Sequence, residues 1–67
     1  MIMFVYDDKN EVLYVSEKGS LIEEIKCPKS NNVTWDGLKD MIACISGNWI
    51  DENRELGTDF SVSIKIN

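Results

Sequence analysis

The first six residues, Met1-Ile2-Met3-Phe4-Val5-Tyr6, contain no charged side chain, and the first carboxylate is Asp7. A strand sends successive side chains to opposite faces of its sheet. Ile2, Phe4 and Tyr6 therefore point one way, and Met1, Met3 and Val5 the other. Both sets are apolar, which marks a strand covered on both sides. The chain has 67 residues, and its pattern offers a single helix as cover. The second cover has to come from elsewhere, and another molecule is the obvious source.

The remaining elements follow from periodicity and punctuation. The first strand is expected from about Ile2 to Tyr6. Asp7-Asp8-Lys9-Asn10-Glu11 is a polar turn, and Val12-Leu13-Tyr14-Val15 is β-branched and aromatic enough for a second strand. Gly19 in Glu17-Lys18-Gly19-Ser20 can take the positive φ that a tight turn requires. Leu21 to Cys27 reads as a third, more exposed strand whose charges suit a sheet edge. Pro28, without an N–H, ends that ladder.

Thr34 is an N-cap candidate, with Asp36 in the first turn and Val33 and Leu38 placed as a hydrophobic staple. Leu38, Met41, Ile42, Ile45 and Trp49 then form one helical stripe. Gly47 could stop the helix or sit inside it at a cost of about 1 kcal/mol. Continuation to about Asn53 or Arg54 is preferred, because Trp49 keeps phase and Gly57 offers a second stop. Phe60, Val62, Ile64 and Ile66 alternate with Ser61, Ser63 and Lys65 as a last strand. The fold class expected is α+β: a single β-β-β-α-β domain over residues 1–67, one helix on a mostly antiparallel four-stranded sheet.

Composition removes several function classes. There is no histidine, hence no Ser-His-Asp arrangement and no usual base for a catalytic cysteine. Cys27 and Cys44 form no CxxC pair and make no zinc site alone. They read as thiols in a reducing cytosol, with a single bridge as the alternative. Glu23 and Glu24 diverge to opposite faces of their strand. The Asp7–Glu11 segment is too short for an EF-hand loop and lacks its glycine. The expectation is a protein that is not an enzyme, with no cofactor and no metal.

The formal net charge of −5 disfavours a basic nucleic-acid surface or an anionic lipid surface. The N-terminus lacks the features of a signal peptide, and no apolar run approaches the roughly 20 residues of a membrane span. A cytoplasmic location is expected.

If the last strand shares the helix side with Ile2, Phe4 and Tyr6, then Met1, Met3 and Val5 remain on the far side. Either Leu13 and Val15 or Val12 and Tyr14 join them, and the former pair is taken as part of the expected contact surface. Covering four or five such side chains is worth up to roughly 10 kcal/mol gross. The net stability of a small domain is of the same order. The other reading has the Trp35 loop and the 48–58 segment shielding this face.

The expected partner-binding residues are thus Met1, Met3, Val5, Leu13, Val15 and Trp35, with an acidic patch at Asp51, Glu52 and Glu55. In composition, though in no motif, the chain resembles the small proteins with which phages disable host enzymes or defence complexes. That resemblance implies an inhibitor of a larger protein partner, here one that self-associates as a homodimer. One alternative is a nucleic-acid mimic filling a basic DNA- or RNA-binding groove. Another is a dimeric structural or ribbon-type DNA-binding subunit, for which Lys9, Lys18, Lys26, Lys29 and Lys39 are too few and scattered.

Overall fold

The computed structural model describes residues 1–66. Its elements run β1 (Ile2–Asp7), β2 (Val12–Glu17), β3 (Ser20–Lys26), α1 (Trp35–Asn53) and β4 (Phe60–Lys65). The sheet order is β3-β2-β1-β4, with β1 antiparallel to β2, β2 antiparallel to β3, and β4 parallel to β1. This is the α+β, one-helix architecture that the periodicity implied.

Local chemistry sets the boundaries. Lys18 and Gly19 both have positive φ, 53° and 80°, and join Glu17 to its partner Ser20. A two-residue turn with both φ positive has the twist that an antiparallel hairpin needs. At the first turn the Asp7 carboxylate accepts from the backbone N–H groups of Lys9 (3.0 Å) and Asn10 (3.2 Å) and from the Asn10 side chain (2.8 Å). Asp7 is buried. It organises the turn from inside, although a polar run of this kind reads in sequence as a solvated turn.

The Thr34 hydroxyl caps α1 by accepting from the Gly37 N–H at 3.0 Å. The helix passes through Gly47 and ends at a cap on Arg54. A side-chain carbon added at Gly47 would meet nothing within 4 Å. Gly47→Ala should therefore stabilise the domain by about 0.5–1 kcal/mol, by reducing the freedom of the unfolded chain. A thermal melt that is unchanged or lowered would contradict this.

The core lies between α1 and one sheet face. Ile2, Phe4, Tyr6, Leu13 and Val15 are buried against Leu38, Ile42, Trp49 and Ile50. Phe4 meets Trp49 and Phe60 edge-to-face, with ring centroids 5.8 and 5.6 Å apart. Ser46 completes the buried stripe one turn after Ile42 and is fully buried. Hydrophobic periodicity alone skips it, since serine scores as polar.

β4 departs from its expected half-burial. Its register with β1, Phe4 beside Val62, does place Phe60, Val62 and Ile64 on the helix side. Yet Phe60 and Val62 stay 39% and 38% exposed, because burial is concentrated on β1 and β2. One 19-residue helix cannot roof four strands, and β4, at the edge, is left partly open.

Candidate functional site

Register decides the composition of the face away from the helix. Phe4 pairs with Val15 and Tyr6 with Leu13, so these four share the helix side. Val5 pairs with Tyr14 and Asp7 with Val12, which puts Val12 and Tyr14 on the open side beside Met3 and Val5. Leu13 and Val15, expected in the contact surface, are instead fully buried in the core. The physical reason is the length of the first turn. Four residues (8–11) separate Asp7 from its partner Val12, and that count fixes which alternate set of β2 faces the helix.

The open face therefore carries Met3 and Val5 from β1 and Val12 and Tyr14 from β2. Met3 is 47% exposed, and Val5, Val12 and Tyr14 are half-buried. Leu21 of β3, which pairs with Ser16 beyond the register irregularity and so lies on the Met3 side, is also exposed. Ser61 and Ser63 flank the patch, since they pair with Met3 and Val5. No element of the described residues lies over this face, and the proposed shield is absent. α1 and the Trp35 end of it sit on the opposite side. Met1, just outside β1, is exposed.

Trp35 is also exposed, but it borders a shallow apolar groove on the helix side with Ala43, Val62, Ile64 and Ile66. Asp51, Glu52 and Glu55 lie exposed at the end of α1 and just beyond it. The structure thus separates the expected contact residues into four places: the open face, the core that takes Leu13 and Val15, the groove and the acidic end. Arg54 does not neutralise this end alone. Its guanidinium bonds the Glu17 carboxylate at 2.8 Å and lies 5.2 Å over the Trp49 ring. The guanidinium hydrogen bond holds the Glu17 carboxyl below the usual range.

The edges of the open face are fastened by the 27–32 loop. The Tyr6 hydroxyl donates to the Cys27 carbonyl at 2.7 Å inside the core. Cys27 N–H donates to the Glu11 carbonyl (2.9 Å), and Lys29 N–H to the Glu11 carboxylate (2.9 Å). The Lys29 ammonium pairs with the Asp8 carboxylate and reaches the Asp8 carbonyl at 3.1 Å. These ties hold the first turn, and with it the register that exposes Val12 and Tyr14.

Burial, reinforced by Glu11 and other nearby acidic groups, pushes the Tyr6 phenol up, and burial raises the Cys27 thiol. Both ionise less readily in the fold than in the unfolded chain, so the folded state holds their protons more tightly. Stability is accordingly full below the ordinary thiol range, about pH 8.5, and declines as pH rises through the higher folded values. Tyr6→Phe leaves the Cys27 carbonyl without this donor and should cost about 1–2 kcal/mol near neutral pH. It should also flatten the alkaline decline in urea-denaturation midpoints. An alkaline limb identical to the wild type would contradict the assignment.

Cys27 and Cys44 are both free, the first buried and the second exposed. Among the described residues no three histidine, cysteine, aspartate or glutamate side chains converge in a way that could hold a metal ion. None of the helices described is long and apolar enough to cross a membrane. No protein-family model, curated protein or solved structure matches the chain.

Proposed function

We propose that this chain is a non-enzymatic binding protein whose contact surface is the open face of its sheet. The observation that carries the reading is the group Met3, Val5, Val12 and Tyr14 on the face away from the helix, gathered by the β1–β2 register, with Met3 exposed and the other three half-buried. Monomeric soluble domains seldom leave such a contiguous apolar patch open to solvent. Methionine and tyrosine are suited to contact surfaces, one adaptable and the other combining a large apolar ring with a polar tip. The occupant of this surface is a larger protein, and the consequence of binding is obstruction of the partner's own site, as in an inhibitor of the phage type. Acidic side chains at Asp51, Glu52 and Glu55 steer a basic partner but do not supply the main contact.

The test is a salt titration of complexes captured from cell extract on the immobilised chain. An apolar contact holds its partner from about 50 mM to about 1 M salt, because screening acts on charges. A mimic of nucleic acid releases its basic target steeply over the same range. Salt-sensitive release of everything captured would overturn the open-face reading in favour of mimicry.

A further inference from the structure

The two edges of the sheet are defended very differently. β3 carries Glu23, Glu24 and Lys26 and has a register irregularity opposite Val15 and Ser16, devices that discourage strand addition. β4, Phe60-Ser61-Val62-Ser63-Ile64-Lys65, has no proline, no bulge and one charge, at its end. Such an edge is a template for another strand.

The backbone of β4 has a defined polarity. Ile2 N–H donates to the Asp59 carbonyl and Asp8 N–H to the Lys65 carbonyl, at 3.4 and 3.2 Å. With the parallel register between them, these two bonds direct the groups of Ser61, Ser63 and Lys65 towards β1. The N–H and C=O groups of Phe60, Val62 and Ile64 consequently point out of the edge.

We infer that β4 pairs antiparallel with the β4 of a second copy of this chain, about a two-fold axis at Val62. The inference rests on the open-face reading only in that the pairing would merge two such faces into one. In this register Val62 meets Val62 of the second copy and Phe60 meets its Ile64, each pair exchanging two backbone hydrogen bonds. Every outward group of Phe60, Val62 and Ile64 is then satisfied. Phe60 and Ile64 form an aromatic–β-branched pair on the helix side, and Ser61 lies opposite Ser63 on the open side.

The same register sets Asp59 opposite Lys65 of the second copy, at both ends of the ribbon. Both are exposed, and they fall at a non-hydrogen-bonded position, where side chains approach closely. Shifting the axis by one residue either way removes both charge pairs. The strand is thus complementary to itself in backbone, side-chain size and charge at one register, as a two-fold interface requires.

The experiment is sedimentation equilibrium of the full chain with charge variants at these two positions. The wild type should be a dimer at micromolar concentration. Asp59→Lys or Lys65→Asp alone opposes like charges at both ends and should weaken the dimer about tenfold. The double variant restores both pairs and should return to within about threefold of the wild type. A Cys44→Ser, Val62→Cys chain should form an intermolecular disulfide on mild oxidation. The paired α-carbons would sit about 5.5 Å apart, within disulfide reach.

A monomer at high micromolar concentration overturns the inference. So does a dimer that neither charge reversal weakens, or one that the double variant fails to restore. Partner capture by Asp59→Lys reports on the open face separately, since that substitution leaves Met3, Val5, Val12 and Tyr14 intact.

Discussion

Phe4→Ala is expected to remove most of the stability of this domain. The ring is fully buried on the central strand β1 and makes edge-to-face contacts with Trp49 above it and Phe60 beside it. Truncating a buried phenylalanine costs about 3–5 kcal/mol, from lost transfer energy and the cavity left behind. A domain of this length has a net stability of only about 3–10 kcal/mol. Far-UV circular dichroism in urea should show the midpoint falling by roughly 3 M, or a chain already unfolded in buffer. A loss below about 1.5 kcal/mol would mean that neighbouring side chains collapse into the space. The helix could not then depend on the Phe4–Trp49 contact for its seat. Phe60 would lose a ring contact too, so the same variant should loosen β4.

Met3→Lys combined with Val5→Lys is expected to abolish partner capture while leaving the fold intact. Both side chains lie on the open face and neither belongs to the core cluster, so the lysines extend into water from a paired strand. Loss of two contact side chains at about 1.5 kcal/mol each weakens binding about 100-fold, before any penalty for burying the new charges. The measurement is capture from extract by the double variant, beside circular dichroism to show that the fold persists. Undiminished capture by a folded double variant would move the contact away from this face. The groove bordered by Trp35 would be the next place to probe, with Trp35→Ala. Substituting Leu13 or Val15 would not test the same idea, because both are core residues and their loss unfolds the chain.

The element order, the Thr34 cap, the continuation of α1 through Gly47 and the two-sided apolar character of β1 were all legible in the sequence. Each depends on side chains within a few residues of one another: a hydroxyl three positions before its N–H, or a stripe recurring every turn. The acidic residues and the absence of histidine were equally plain. Leu13 and Val15 were not placed correctly, because alternation defines two sets of β2 side chains without saying which set faces the helix. The buried Asp7 was missed for a related reason. A carboxylate in a polar run looks solvated until the chain folds its own N–H groups around it.

What the sequence determined by itself was the supply of apolar surface: a first strand greasy on both sides, one amphipathic helix and an alternating last strand. Tertiary structure alone decided how that surface is divided. The turn after Asp7 set the β1–β2 register, sending Leu13 and Val15 inward and Val12 and Tyr14 outward. The strand order β3-β2-β1-β4 left β4 at an edge with its backbone groups unpaired on one side. Period and propensity act within a segment. Register, sheet order and the reach of a single helix are relations between segments, and they emerge only when the chain packs against itself.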